Sequence, residues 1–225
     1  MDRNRSAWNK HQQILQDALS SPEKHPECIS LFLSQHAQVH SSRMTTRGEW
    51  SFEDEVLDKL DEIAIRMVPI RSEHSIAWIL WHLARIEDVS MNILVAGTDQ
   101  IFERQGWGEK LNSLISDTGN EFDLEQVTQL SKVVNLDNLK KYRIAVGLST
   151  QQIVSQLSPA LLKQKVNPDR IIKVRESGAV MPAASGILDY WSKRTIAGLL
   201  LMPPTRHCFL HLNEALRIKR WLVKN

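Results

Sequence analysis

The sequence predicts an all-α protein. Only nine glycines punctuate its 225 residues, no run of alternating β-branched residues occurs, and apolar positions recur at helical spacing along most of the chain. An apolar share of 42% beside a charged share of 24% suits a globular chain long enough to bury a sizeable core. The whole chain, 1–225, reads as one domain in which residues 1–26 are an N-terminal extension.

Residues 6–19 and 27–45 are expected as the first helices, parted by Pro22 and Pro26. The next is expected over 52–65, because Ser51 with Asp54 three positions on makes a capping-box-like start, and Pro69 follows as a break. Ser75 to Ala96 is the clearest helix: Ile76, Ile79, Leu80, Leu83, Ile86, Val89 and Ile93 form a broad apolar face, and Gly97 stands where a helix stops. Gly106 to Asn120 reads as a loop with a helical turn around 109–115.

Asp123 with Gln126 caps a helix to about Val134, and a long helix follows over 137–157, closed by Ser158-Pro159. Residues 161–185 read as short pieces broken at Asn167-Pro168 and Gly178. Helices over 186–201 and 204–223 complete the chain, split by Pro203-Pro204, since proline suits a first helical turn.

A formal net charge of +2 and a pI near 8.6 carry no nucleic-acid signature, because no Lys/Arg run is interleaved with stacking aromatics. Arg217, Lys219, Arg220 and Lys224 read as a solvated last helical turn at the negative end of the dipole. The longest apolar run, around Ile196 to Met202, is too short to span a bilayer, so no membrane partner is expected. Cys28 and Cys208 lie far apart and outside any C-x-x-C, and the N-terminus has no apolar signal region; both point to a reducing, cytoplasmic setting.

The chemistry sits in eight histidines, two pairs of which have i, i+4 spacing: His36/His40 and His207/His211. Residues four apart share one helix face, so two imidazoles so placed can reach one ion at roughly 2.0–2.1 Å. By spacing alone, His207 and His211 read equally as ligands or as structural residues. A third ligand must come from another helix, and His82 lies in the strongest amphipathic one, although a lone histidine there also reads as packed core. His36 and His40, in SQHAQVHSS, read as a solvated face, and His74 as an exposed residue at a helix start. Cys208 points about 100° away from its neighbour His207 and reads as a small core residue. Glu214, three after His211, reads as an acceptor orienting an imidazole, a fourth ligand or an exposed carboxylate. Arg85 reads as a surface pair with Asp88, with an anionic substrate as its other reading.

SIAWILWHLARIEDVSMN (75–92) followed by HCFLHLNE (207–214) resembles the DinB-like superfamily, also called DinB/YfiT-like metalloenzymes. Trp78 and His82 match its W-x-x-x-H helix, and His207 and His211 match its later H-x-x-x-H on the last bundle helix. The resemblance implies a four-helix bundle, here with additional N-terminal and inserted helices, in which His82, His207 and His211 bind a divalent metal ion, zinc or nickel. It implies a metal-dependent enzyme acting on a small-molecule substrate, a transferase using a low-molecular-weight thiol of the bacillithiol or mycothiol type. Three neutral ligands leave a position open, and the same position suits a metal-dependent hydrolase. A non-catalytic metal-binding helical module is the third reading. A homodimer is compatible with the bundle class, since many bundles pair helix faces. His36, His40 and Glu214 are left without an assigned role.

Overall fold

Asp2 opens the first helix, α1 (Arg3–Leu19), by accepting a hydrogen bond from the Asn4 amide at 2.7 Å. α1 packs along α2 (His25–Ala37), and the two are locked by a reciprocal pair: Trp8 Nε1 donates to the Gln35 carbonyl at 3.1 Å and Gln35 Nε2 to the Trp8 carbonyl at 3.0 Å. The computed structural model describes residues 2–21, 25–45, 48–70, 72–113 and 115–224; Pro22, the expected break between these helices, and Leu114, in the expected turn at 109–115, lie outside them. Among the described residues the chain is all-α, as its glycine-poor, helically spaced sequence requires, with a lone backbone bridge between Lys165 and Thr195.

Two expected helices are interrupted. The stretch 27–45 stays helical only to Ala37, with a 3-10 turn at Ser42–Met44 that Ser41 caps; the Ser51 hydroxyl donates to the His40 carbonyl at 2.6 Å where the helix has ended. The stretch 52–65 divides into α3 (Phe52–Leu57), capped by Ser51, and α4 (Glu62–Arg66), capped by Asp61. Between them Asp58 is extended and Lys59 sits at φ 61°, outside helical geometry.

The central element is α5 (Ile76–Asp88), capped by Ser75 and extended by a π-helical stretch, Val89–Ala96, that ends on left-handed Gly97. Every side chain from Ile76 to Val95 is buried, so α5 is a core helix through its whole circumference. Its first half belongs to one apolar cluster with α14 and its second to another with the 162–200 region, and a layer of buried polar residues, His82, Arg85, Glu87 and Asp88, lies along its middle.

The helical turns in the following segment fall earlier than expected, at α6 (Ile101–Arg104) and α7 (Trp107–Lys110). α8 (Leu124–Val133) carries the full Asp123/Gln126 capping box, and α9 (Leu136–Ser155) packs lengthwise on α5. Short pieces, α10 (Pro159–Leu162), α11 (Pro168–Glu176), α12 (Gly186–Ser192) and α13 (Ile196–Leu200), close the second of these clusters. The expected helix 186–201 is broken at 193–195 because backbone bonds from Val166 to Arg194 and from Ile196 to Gln164 draw that turn aside, and Thr195 then caps α13. A π-helical stretch, Met202–His207, holds Pro203 and Pro204 and leads into α14 (Cys208–Leu222), which packs on α5 and α3. No described helix is long and apolar enough to cross a membrane.

Candidate metal centre

Three imidazoles converge where α14 crosses α5. His82, on α5, is buried; His207, at the junction of the π-helical stretch with α14, and His211, one turn on, are partly exposed. Their ring centroids lie 4.6 to 5.0 Å apart, and one nitrogen from each lies within 4.8 Å of the others. The i, i+4 spacing puts His207 and His211 on one face, and the packing of α14 on α5 brings that face to His82.

Hydrogen bonds fix which nitrogens are free. His82 Nδ1 lies 2.7 Å from the Thr118 carbonyl, which can only accept, so Nδ1 carries the proton and Nε2 keeps its lone pair. His211 Nδ1 donates to Glu214 Oε2 at 2.9 Å, which leaves its Nε2 free in the same way. Glu214 is shared, because its Oε1 accepts from His74 Nδ1 at 2.7 Å. His74 is therefore a partly buried member of the site wall and not the exposed residue expected at a helix start. It begins a ladder at helical spacing: its ring stacks on Trp78 at 3.7 Å, and Trp78 stacks on His82 at 4.7 Å.

Burial keeps His82 and His207 neutral. It pushes His82 down to about 3, helped by the neighbouring His211, and it pushes His207 well below the ordinary histidine range, again helped by the adjacent imidazoles. For Glu214, burial acts upward, and the bonds from His211 and His74 outweigh it, holding the carboxyl at about 2. The result is one ionised acceptor beneath His211, the arrangement in which a carboxylate orients a metal-binding histidine.

The residues fit a divalent ion. His82 Nε2 and His207 Nε2 face each other at 3.2 Å, close to the roughly 3.3 Å edge of a tetrahedron whose imidazole nitrogens lie about 2.0–2.1 Å from its centre. His207 Nδ1 is buried without a partner, so Nε2 is the face it presents to the other two rings. The three histidines form the floor of a cleft of about 250 Å³, walled by His74, Trp78 and the loop 119–122.

That loop is held from beneath by Arg85. The guanidinium donates from Nε to the Ser116 carbonyl at 3.0 Å, from Nη1 to Tyr142 Oη at 2.7 Å, and from Nη1 to Asp88 at 3.3 Å. Arg85 and Asp88 are thus fully buried partners, not the surface pair expected from their spacing: Asp88 also accepts the backbone amides of Ile101 and Phe102, each at 2.8 Å, and no solvent reaches either. Gly119, at φ +75°, lets the loop lie against Trp78, where a Cβ would come within 3.2 Å of the indole nitrogen.

His36 and His40 are fully buried, against the solvated face expected of them, because the carboxylate they need is inside: His36 Nε2 meets Glu87 Oε1 at 2.7 Å and His40 Nε2 meets Glu87 Oε2 at 2.8 Å. Glu87 belongs to no motif in the sequence. Its signal is a charge four residues after Leu83 and seven after Leu80, on a face that should be wholly apolar. Cys208 is buried beside it, turned away from the His82 site as its neighbour's direction requires.

No family model matches the chain, and no curated protein matches it. Among solved structures it is similar to a protein described as the conserved protein of a locus from Enterococcus faecalis, at 17% identity and a TM-score of 0.62, over 87% of this chain and 97% of that one. At that identity the likeness speaks for the fold alone.

Proposed function

We propose that this chain is a DinB-like metal-dependent enzyme whose single catalytic ion, zinc or nickel, is held by His82, His207 and His211. One observation carries the reading: three imidazoles converge on the floor of a cleft, two of them with Nδ1 tied down so that Nε2 is the free donor. When bound, a divalent ion with three neutral ligands and an open position supplies Lewis acidity that lowers the pKa of a thiol or a water.

The chain's own residues supply the remainder. Glu214 keeps His211 oriented and draws His74 to the cleft wall. Thr118 orients His82 through its carbonyl and Asn120 through a 2.7 Å bond from its hydroxyl, so one short loop sets both a ligand and a polar group facing the substrate. A cleft of about 250 Å³ suits a small polar molecule and the sulfur end of a low-molecular-weight thiol. We assign the reaction to transfer involving such a thiol.

Elemental analysis of untagged protein tests the centre, with one equivalent lost in His82→Gln as the expected result. The reaction is tested by screening electrophilic substrates with bacillithiol, mycothiol or cysteine. Turnover of esters or amides without any thiol would replace the transferase by a hydrolase.

A further inference from the structure

Behind the three-histidine site lies a second set of donors, shut off from solvent. His36 and His40 from the end of α2 and the turn after it, Glu87 from α5 and Cys208 from α14 all have no exposed surface. Each carboxylate oxygen of Glu87 faces a different imidazole, at 2.7 and 2.8 Å, and Cys208 Sγ lies 3.9 Å from Oε2. We propose that these four residues are a second metal site, a closed one that takes zinc or a similar divalent transition ion as a structural element.

Charge argues for an occupant. This layer buries two carboxylates, Glu53 and Glu87, and one cation beside them, Arg143, which is ion-paired to Glu53. Glu87 faces two imidazoles, a thiol and the Thr150 hydroxyl, which donates to its Oε1 at 2.7 Å, and among the described residues no Lys or Arg is paired with it; a buried carboxylate is costly unless its charge is met. A divalent ion with one carboxylate, one thiolate and two neutral imidazoles sums to zero.

The donor chemistry, two nitrogens, one oxygen and one sulfur, selects zinc-like ions over magnesium or calcium. Size also fits: ligands about 2.0–2.1 Å away through N or O and about 2.3 Å through S give edges of roughly 3.3 Å between N and O and 3.6 Å between O and S. The thiol would draw in by a few tenths of an ångström and the imidazoles retreat by about half an ångström. With four protein ligands and no exposure, the site has no open position, which separates it in kind from the His82 centre.

Untagged protein grown with supplemented zinc and purified without chelator is expected to hold two equivalents per chain. His82→Gln is expected to keep one, and Glu87→Gln to keep the other. After cobalt replacement, the wild type and His82→Gln should show a sulfur-to-metal charge-transfer band that Cys208→Ser abolishes. No metal in the His82→Gln protein, or metal there without the Cys208-dependent band, overturns the second site. Should Glu87→Gln fail to fold, the His82→Gln protein still decides the question, since its one retained equivalent and its band need no change in the buried layer.

Discussion

His82 Nε2 and His207 Nε2 face each other at 3.2 Å, across a junction of helices whose residues are 125 apart in sequence. Neither ring has another hydrogen-bonding partner on that side, and burial disfavours a proton on either. Two lone-pair faces so close are stable together only with a cation or a shared proton between them. His207→Gln is therefore expected to abolish stoichiometric zinc or nickel binding at this centre while leaving the helical circular dichroism spectrum unchanged. Isothermal titration with either ion checks this, and undiminished affinity would remove His207 from the site.

Glu214 bridges His211 and His74 through separate oxygens, at 2.9 and 2.7 Å. Replacing it with glutamine keeps the shape and removes the charge that raises the basicity of the His211 ring. Loss of such an orienting carboxylate typically costs about 10–100-fold in metal affinity. Competition titration against a chromogenic chelator should show a fall in that range for Glu214→Gln. His74→Gln, which removes only the partner at the rim, should show a smaller one.

Acid should destabilise the metal-free protein in two overlapping windows. His82 and His40 sit at about 3 when folded against 6.5 in the open chain, so the unfolded state binds protons first as the pH falls. Their contribution is complete above 6.5 and is lost progressively toward 3. Glu214, held at about 2 against 4.5, loses its own contribution below 4.5. Unfolding free energies from urea titrations should thus fall steadily from pH 7 to pH 4, by on the order of a few kcal/mol in all. His40→Gln should flatten the upper part of that slope, and an unchanged slope would show that His40 does not titrate in this way.

The fold class, the cap at Gly97 and the Asp123/Gln126 capping box were legible because each depends on residues within one or two turns. His207 and His211 were legible as a pair for the same reason. Glu87, Arg85 and Asp88 were not: a charge on a helix reads as solvated until the neighbouring helices are known, and α5 is covered on every side. Thr118 was beyond reach for a different cause. It acts through a backbone carbonyl, which any residue carries, and it lies 36 positions from the ring it orients. His36 and His40 had the right spacing but a polar context, SQHAQVHSS, and the carboxylate that draws them inside is about 50 residues away.

Gly119 tests how tightly the loop over the site is built. Its φ of +75° is left-handed, and an added Cβ would lie 3.2 Å from Trp78 Nε1. Gly119→Ala is expected to cost about 1–2 kcal/mol from the backbone alone. It should also shift the adjacent Thr118 carbonyl and weaken metal binding. Thermal unfolding with and without zinc separates the two effects: the Tm increment on adding zinc should shrink as well as the Tm itself. A lower Tm with an undiminished increment would show that the loop does not set the geometry of His82.

Arg85 ties the same loop to the buried layer of α5, donating to Ser116, Tyr142 and Asp88 with no solvent exposure. Removing one partner of a buried ion pair leaves the other charge unpaired and costs about 3–5 kcal/mol. Asp88 keeps the Tyr142 hydroxyl and two backbone amides as donors, so Arg85→Gln should fall at the lower end of that range. Neutralising Asp88 in the same protein removes the orphaned charge, and Arg85→Gln/Asp88→Asn should recover part of the loss, giving a double-mutant coupling that additive single effects would not. Metal affinity separates this from a general loss of stability. The Asp88→Asn exchange relieves charge without restoring the Ser116 bond, so the double variant should regain stability while its zinc affinity stays reduced. If affinity returns along with stability, Arg85 serves packing alone; if it does not, Arg85 positions the loop that orients His82.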